Sequence, residues 1–287
     1  MIVLRSLIFD IAFYLWTALV CIMSLPALLV SQRATARVSW LWAIVSLWLL
    51  RKIVGLSFEV RGLENMPQRP AIFAFKHQSA WYTLAIWVVL DNPAIVLKAS
   101  LAKIPVFGWY VKRGKAIAID RDAGARALRP MVALARSAVK NGRPIAIFPE
   151  GTRTLAGCRQ QYQPGVAALY LQLGIPLVPV ALNSGLFWSR RSFVKRPGRI
   201  VVAFLRPINP GRDRRSVMAE LEQRIEAATA QILGQGTAAE KRIPAEISIA
   251  EGGTGQRGDL LQAARGTRPV NDSVARAPPW RDSQKGT

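Results

Sequence analysis

The middle of this chain keeps switching its hydrophobic period, and that alternation limits the folds open to it more than any other feature. Seven short apolar runs have strand length: LSFEVRG (56–62), AIFAFK (71–76), AIVLKA (94–99), AIAID (116–120), PIAIFP (144–149), LVPVAL (177–182) and RIVVAFL (199–205). Between them, residues 80–90, 122–141, 164–173 and 214–233 have helical composition and spacing. Strands that alternate with helices predict an α/β domain over 53–235, with a mostly parallel, twisted sheet flanked by helices. The prolines of IPLVPVALN (175–183) suggest an edge strand or a bend. Residues 236–287 carry Gly, Pro, Arg and Gln without periodicity and read as a disordered tail.

The first 52 residues differ in kind. Residues 7–30 are apolar apart from Asp10, Thr17 and Ser24, and are long enough to cross a bilayer. A short basic linker, Gln32 to Arg37, leads to VSWLWAIVSLWLL (38–50), which is short for a span and ends in Arg51-Lys52. Two arrangements fit: a membrane-anchoring helical hairpin over 1–52, or a single span followed by a Trp-rich interfacial helix. The hairpin, either dipping into one leaflet or crossing and returning, is preferred because it brings the chain back to its starting side. Ala34-Thr35-Ala36 resembles a signal-peptide cleavage site, but the apolar run before it is too long for a signal h-region.

Charge narrows the partners. The sequence holds 39 Lys and Arg against 17 Asp and Glu, for a net charge of +22. Residues 98–143 carry eleven basic residues against Asp120 and Asp122, and residues 190–215 carry nine against Asp213, so much of the charge sits on the body. Such a field attracts polyanions, either nucleic acid or the phosphates of lipids and coenzymes. The chain has no zinc-finger spacing and no RRM signature, which argues against nucleic acid. Beside an apolar N-terminus, the basic body fits an anionic membrane surface better. Cys21 and Cys158 are the two cysteines, and their settings favour free thiols in a reducing compartment. With His77 as the single histidine, a metal site built on histidines is excluded, and two cysteines cannot complete a structural zinc site.

Polar residues interrupt the apolar runs at a few places. Lys76-His77-Gln78-Ser79 follows the strand AIFAF and precedes a helix, which puts His77 at a strand end, where reactive groups collect in α/β folds. Ser79 is a fair N-cap for the helix at 80–90. Phe148-Pro149-Glu150-Gly151-Thr152-Arg153 ends a second apolar strand. Its Gly lets the backbone approach an anion, and Arg153 offers a planar fork suited to phosphate. Asp120-Arg121 follows a third strand.

In this order and spacing, the His77 cluster, Ile117 to Arg121, FPEGTR (148–153) and IPLVPVALN (175–183) resemble the bacterial lysophosphatidic acid acyltransferases over roughly residues 55–230. The resemblance implies transfer of a fatty acyl group from acyl-CoA or acyl-carrier protein to the sn-2 hydroxyl of lysophosphatidic acid, giving phosphatidic acid in phospholipid biosynthesis. It implies His77 as general base, and Arg121 with Glu150, Gly151, Thr152 and Arg153 as holders of the acceptor's phosphate. No metal and no bound cofactor is expected. The expected partners are membrane lipid, lysophospholipid, acyl donor and an anionic membrane surface. The expected location is the inner (cytoplasmic) membrane, with the catalytic domain on its cytosolic face.

One position departs from the family motif of His, four residues, then Asp. His77 matches, but Tyr82 stands where the Asp belongs. An Asp in that place orients the ring and stabilises the imidazolium formed in the transition state. Tyrosine is uncharged at neutral pH, since its reference pKa is about 10. Two alternatives therefore stay open: a catalytically impaired homologue that binds lipid or acyl carrier, and an acyltransferase for another lysolipid such as a lyso-ornithine lipid.

Overall fold

The structure, a computed structural model, describes residues 1–240, with side chains through Gln235. All seven apolar runs are strands of one sheet: β1 (Leu56–Arg61), β2 (Ile72–Phe75), β3 (Ala94–Lys98), β4 (Ile117–Ile119), β5 (Ile145–Ile147), β6 (Leu177–Leu182) and β7 (Gly198–Phe204). Their order is β1-β7-β6-β2-β5-β3-β4. Five strands, β2 to β6, run the same way, while β7 is antiparallel to β6 and β1 is parallel to β7. The C-terminal ends of β2 to β6 therefore share one edge with the start of β1 and β7.

The two-residue period of a strand divides the core. Phe73 and Phe75 of β2 face a cluster holding Phe9, Leu47, Leu50, Leu84 and Ile86. Ile72 and Ala74 face the opposite cluster, with Met131, Val166, Leu221 and Ile225. Three layers result. On one side of the sheet lie α1 (Ile2–Met23), α3 (Gln32–Leu49) and α4 (Tyr82–Val89), and on the other α6 (Leu128–Lys140), α7 (Gly165–Leu173) and α9 (Arg214–Glu240). Three short helices complete the set: α2 (Leu25–Val30), α5 (Phe107–Arg113) and α8 (Ser184–Phe187).

Several local expectations need correction. The strand with the prolines is not at an edge: β6 lies between β7 and β2 and is buried throughout. Proline is tolerated there because Pro179 turns its peptide toward β7, where its carbonyl accepts from Leu205 N at 2.9 Å. Its missing N–H falls just past the β6–β7 ladder, which spans Val180↔Phe204 to Leu182↔Val202. Ser79 does not cap α4. That helix starts at Tyr82 without a side-chain cap, and Ser79 Oγ instead accepts from Trp81 N at 3.1 Å, closing the turn before it. The helix expected at 122–141 opens as 3-10 turns broken at Gly124 (φ 55) before α6 begins at Leu128. Helix α9 runs through Glu240, past the expected domain limit at 235. The rest of the expected tail, 241–287, lies outside the described residues.

The N-terminal hairpin forms, but it lies along the body. The long apolar run breaks at Ser24 ahead of Pro26, and α3 starts at Gln32, capped by Ser31 Oγ, which accepts from Ala34 N at 3.0 Å. Helices α1 and α3 are joined by Trp42 Nε1 donating to Thr17 Oγ1 at 3.0 Å and Trp16 Nε1 donating to the Trp42 carbonyl at 3.2 Å. Near its start, α1 is fixed by a buried Lys195 that pairs with Asp10 and donates its N–H to Ser6 Oγ at 2.9 Å. Phe9 is fully buried, edge-on to Trp188. Near its end, Tyr110 OH donates to the Cys21 carbonyl at 2.8 Å. The outward side of α1 stays exposed and apolar, with Leu7, Ile11, Leu15, Leu19 and Ile22 on the surface. Among the described residues α1 is the one helix long and apolar enough to cross a membrane.

Candidate active site

The sheet order sets the site. Because β2 lies between β5 and β6, the residues after those three strands meet at one edge. His77 follows β2, the Phe148–Arg153 loop follows β5, Asn183 and α8 follow β6, and Arg121 follows β4.

The loops at this edge are tied together beneath their surface. Glu150 is buried, and one carboxylate oxygen accepts from His77 N at 2.8 Å while the other accepts from Thr154 Oγ1. Thr154 N donates to the His77 carbonyl at 2.8 Å. Both peptide groups flanking the histidine side chain are thus held by one loop. Behind them Lys76, fully buried, places Nζ 2.6 Å from Glu226 Oε1 and 3.5 Å from Glu150 Oε2, and donates to the Cys158 carbonyl at 3.3 Å. Tyr162 OH donates to Glu226 Oε1 at 3.0 Å. Burial pushes the Glu150 carboxyl up, opposed by its hydrogen bonds from His77 and Thr154 and by the Lys76 charge. Buried charges persist when paired and hydrogen-bonded in this way.

The imidazole of His77 stacks on Phe148, with ring centres 4.0 Å apart. Its Nδ1 is buried without a hydrogen-bond partner. Burial first, then the charges of Arg153, Arg121 and Arg190, lower its pKa from 6.5 to about 3, so the resting ring is neutral. Tyr82 is fully buried, its ring 4.3 Å from that of Phe75 and edge-on to Phe148 at 5.9 Å. Its hydroxyl also lacks a partner, and burial pushes its pKa up. The phenol therefore makes no hydrogen bond to the imidazole.

Outside this pair lies a cationic rim. Arg121 donates to the Gly151 carbonyl, and Thr152 is exposed. Gly151 is at φ 68, and a Cβ there would come within 3.0 Å of Gln163 Cγ, so the tight turn needs glycine. Arg190, in the loop after α8, adds the third charge felt by His77. Gln78, also buried, accepts from Gly185 N at 3.1 Å and fastens α8, which precedes that loop, to the histidine segment. A cleft of about 470 Å³ borders it, walled by Leu186, Phe187, Val194 and Arg196.

His77, Arg121, Gly151, Thr152 and Arg153 thus gather at one edge, as expected from their strand-end positions. Glu150 turns inward, with both oxygens engaged inside the fold, and Tyr82 is buried edge-on to Phe148. Glu226 and Arg190 escaped the sequence reasoning, and Lys76 was noted there without its buried role. A lysine closing an all-apolar strand demands a buried acid. Glu226 adjoins Ile225 on the core stripe Val217, Leu221, Ile225, which was a usable signal. Arg190 was visible only as part of a basic run.

Comparison with known proteins places the chain among acyltransferases. An acyltransferase family model matches residues 57–183. A 1-acyl-sn-glycerol-3-phosphate acyltransferase of Pseudomonas aeruginosa is 34% identical over 202 residues, covering 70% of this chain and 79% of that protein. One of Saccharomyces cerevisiae is 29% identical, covering 59% of this chain and 57% of the yeast protein. A lyso-ornithine lipid O-acyltransferase of P. aeruginosa is 28% identical, covering 47% of this chain and 52% of that protein. Among solved structures, the LPA acyltransferase PlsC of Thermotoga maritima matches with a TM-score of 0.68 at 21% identity, over 81% of this chain and 98% of that one, a likeness of fold. On the strength of the family match and the P. aeruginosa relative, the chain belongs to the 1-acyl-sn-glycerol-3-phosphate acyltransferase family.

Proposed function

We propose that this protein is a 1-acylglycerol-3-phosphate O-acyltransferase, moving a fatty acyl group from a thioester to the sn-2 hydroxyl of lysophosphatidic acid. The observation that carries this reading is a single imidazole at a strand end, stacked on Phe148 and within the field of Arg153, Arg121 and Arg190. Nδ1 is buried, which leaves Nε2 to face the substrate. Nε2 takes the hydroxyl proton as the oxygen attacks the thioester carbonyl carbon. The tetrahedral intermediate then expels the thiolate, which recovers the proton from the imidazolium. The donor is acyl-CoA or acyl-carrier protein, and the cleft beside α8 offers room for a bound chain. No metal and no resident cofactor enters these steps. The basic body and the apolar N-terminal helices support a place on the cytosolic face of the inner membrane.

Tyr82 leaves the imidazolium without the carboxylate that usually steadies it, and the arginines make that ion costlier still. The acceptor itself offsets this. A lysophosphatidic acid phosphate seated among Arg121, Arg153 and Arg190 reverses the local field, because a nearby opposite charge favours the charged form of a base. His77 thereby gains basicity when the acceptor binds. Glu150 serves this chemistry as a positioning residue rather than a phosphate contact.

The test is acyl transfer to lysophosphatidic acid, followed by thiol release and product mass. The parent should turn over and His77→Ala should not; turnover by His77→Ala near the parent rate removes the mechanism. The relative acting on lyso-ornithine lipid motivates a second acceptor in the same assay, and preference for it reassigns the substrate. Transfer by Tyr82→Asp with none by the parent identifies an impaired homologue.

A further inference from the structure

The segment between β3 and β4 holds large apolar side chains out in solvent. Leu101, Ile104, Phe107 and Trp109 are 38%, 46%, 41% and 54% exposed. Their exposure follows from the backbone. Phe107 N donates to the Pro105 carbonyl at 2.6 Å, which closes a γ-turn centred on Val106 at φ 62 and ψ −59. A β-branched residue rarely adopts that conformation, and such turns concentrate at functional segments. After the turn, α5 packs tightly back on the 3-10 turn at 99–103: a Cβ on Gly108 would lie 2.3 Å from the Ala102 carbonyl oxygen. The apolar side chains are thus carried by a braced wedge.

The wedge is joined to the N-terminal helices. Tyr110 OH lies 2.9 Å from Ser24 Oγ and donates to the Cys21 carbonyl, and Arg113 donates to the Leu29 carbonyl at 3.3 Å. The neighbouring ends of α1 and α2 expose Ile22, Met23, Leu29 and Val30, so the apolar surface continues across the junction. Exposed Lys103 and Lys112 flank the wedge. Apolar residues bordered by lysines match the acyl region and anionic headgroups of a bilayer, whereas a scattered exposed Leu or Trp would signify little. The segment leaves the sheet from the C-terminal end of β3, the edge that also carries His77.

We propose that Leu101, Ile104, Phe107 and Trp109 form a second membrane-insertion surface, continuous with the exposed side of α1 and α2 and contacting the same anionic bilayer. The protein then sits on the membrane at two places, with its reactive edge next to both.

The experiment uses the full chain, with Cys21→Ala and Cys158→Ser, reconstituted into phosphatidylglycerol–phosphatidylethanolamine vesicles. A nitrobenzoxadiazole label is placed through Phe107→Cys and, as reference, through Leu134→Cys, an exposed position on α6 in the opposite helical layer. The label at 107 should shift to the blue, lose most of its emission to acyl-chain nitroxide lipids and resist aqueous iodide. The label at 134 should do the reverse. Equal iodide quenching at both positions overturns the proposal. So does a shift at 107 that grows with protein-to-lipid ratio, the mark of contact between copies. Ile104→Cys gives an independent reading should Phe107→Cys fail to fold.

Discussion

Replacing Tyr82 with Asp should return the charge that the imidazolium lacks. Each member of this pair has a buried polar atom without a partner, His77 Nδ1 and the Tyr82 hydroxyl. A carboxylate within reach of Nδ1 would engage the first and remove the second. An opposite charge within about 4–6 Å raises a base's pKa by roughly 1–3 units. The depressed His77 pKa would then rise back toward its ordinary value. Each unit is worth about 1.4 kcal/mol, or about tenfold in rate if expressed fully in the transition state. We expect kcat to rise at least about tenfold with little change in the lysolipid KM, the signature of an interaction made mainly in the transition state. The acid limb of kcat/KM should move to higher pH, because a stronger base is protonated sooner as pH falls. The cost lies in packing. The Tyr82 ring fills space beside Phe75, Trp81 and Phe148, and losing a buried aromatic costs about 3–5 kcal/mol. Rates are therefore compared on protein whose melting curve shows it folded. Tyr82→Phe is the control. It deletes an unpaired buried hydroxyl, so activity should match the parent and stability should rise by about 1–3 kcal/mol. A folded Tyr82→Asp protein no faster than the parent refutes the charge argument, and a marked loss in Tyr82→Phe would show that the phenol orients the ring.

Other expectations follow from the same geometry. Glu226→Leu leaves Lys76 buried beside a single acid and should cost about 3–5 kcal/mol in urea unfolding, much of it regained by adding Lys76→Met. Arg153→Ala should raise the lysolipid KM by about ten- to a hundredfold, as loss of one charge-assisted contact worth about 1.5–3 kcal/mol implies, with the donor KM little changed. The pH dependence of stability has a definite sign: His77 is pulled below its usual 6.5, so the unfolded chain binds its proton first on acidification. The stability tied to the neutral ring is complete above 6.5 and is lost as pH falls toward 3. Thermal melts across that window should fall less steeply for His77→Asn than for the parent.

The inner strands β2, β5 and β6 were legible as unbroken apolar runs, which burial on both sheet faces requires, while β1, half-buried at the sheet edge, showed as apolar residues alternating with Ser57, Glu59 and Arg61. Their order was not. Nothing local distinguishes β6 as interior, and its prolines point to the edge unless one knows that the β7 ladder stops beside Pro179. The reactive edge was legible for a related reason: polar residues that interrupt apolar runs mark strand ends. Glu150 shows the limit. A carboxylate between Pro and Gly reads the same whether it meets a ligand or turns inward to a neighbouring loop's backbone. Tyr82 was legible as a missing charge, but the buried hydroxyl's lack of any bond depends on the packing of its ring against Phe75 and Phe148, which the sequence does not show. Hydropathy also placed the second N-terminal helix too late, since Gln32 to Arg37 is polar yet favourable to helix, with Ser31 as its cap.

The grip of one loop on both peptide groups of His77 makes that strand crossing a measuring device. The proposed base follows β2 and the proposed phosphate loop follows β5, adjacent strands paired in fixed register from Ile72↔Ile145 to Ala74↔Ile147. Neighbouring strands stand about 4.8 Å apart, a spacing that side-chain rotamers cannot alter. With Glu150 and Thr154 locking His77 across that gap, the span between anion and hydroxyl is gauged by backbone. On the proposed mechanism, an acceptor is taken when its alcohol lies the right number of bonds from its charged group. Lengthening that spacer by a methylene should therefore be penalised in turnover even where the headgroup still binds.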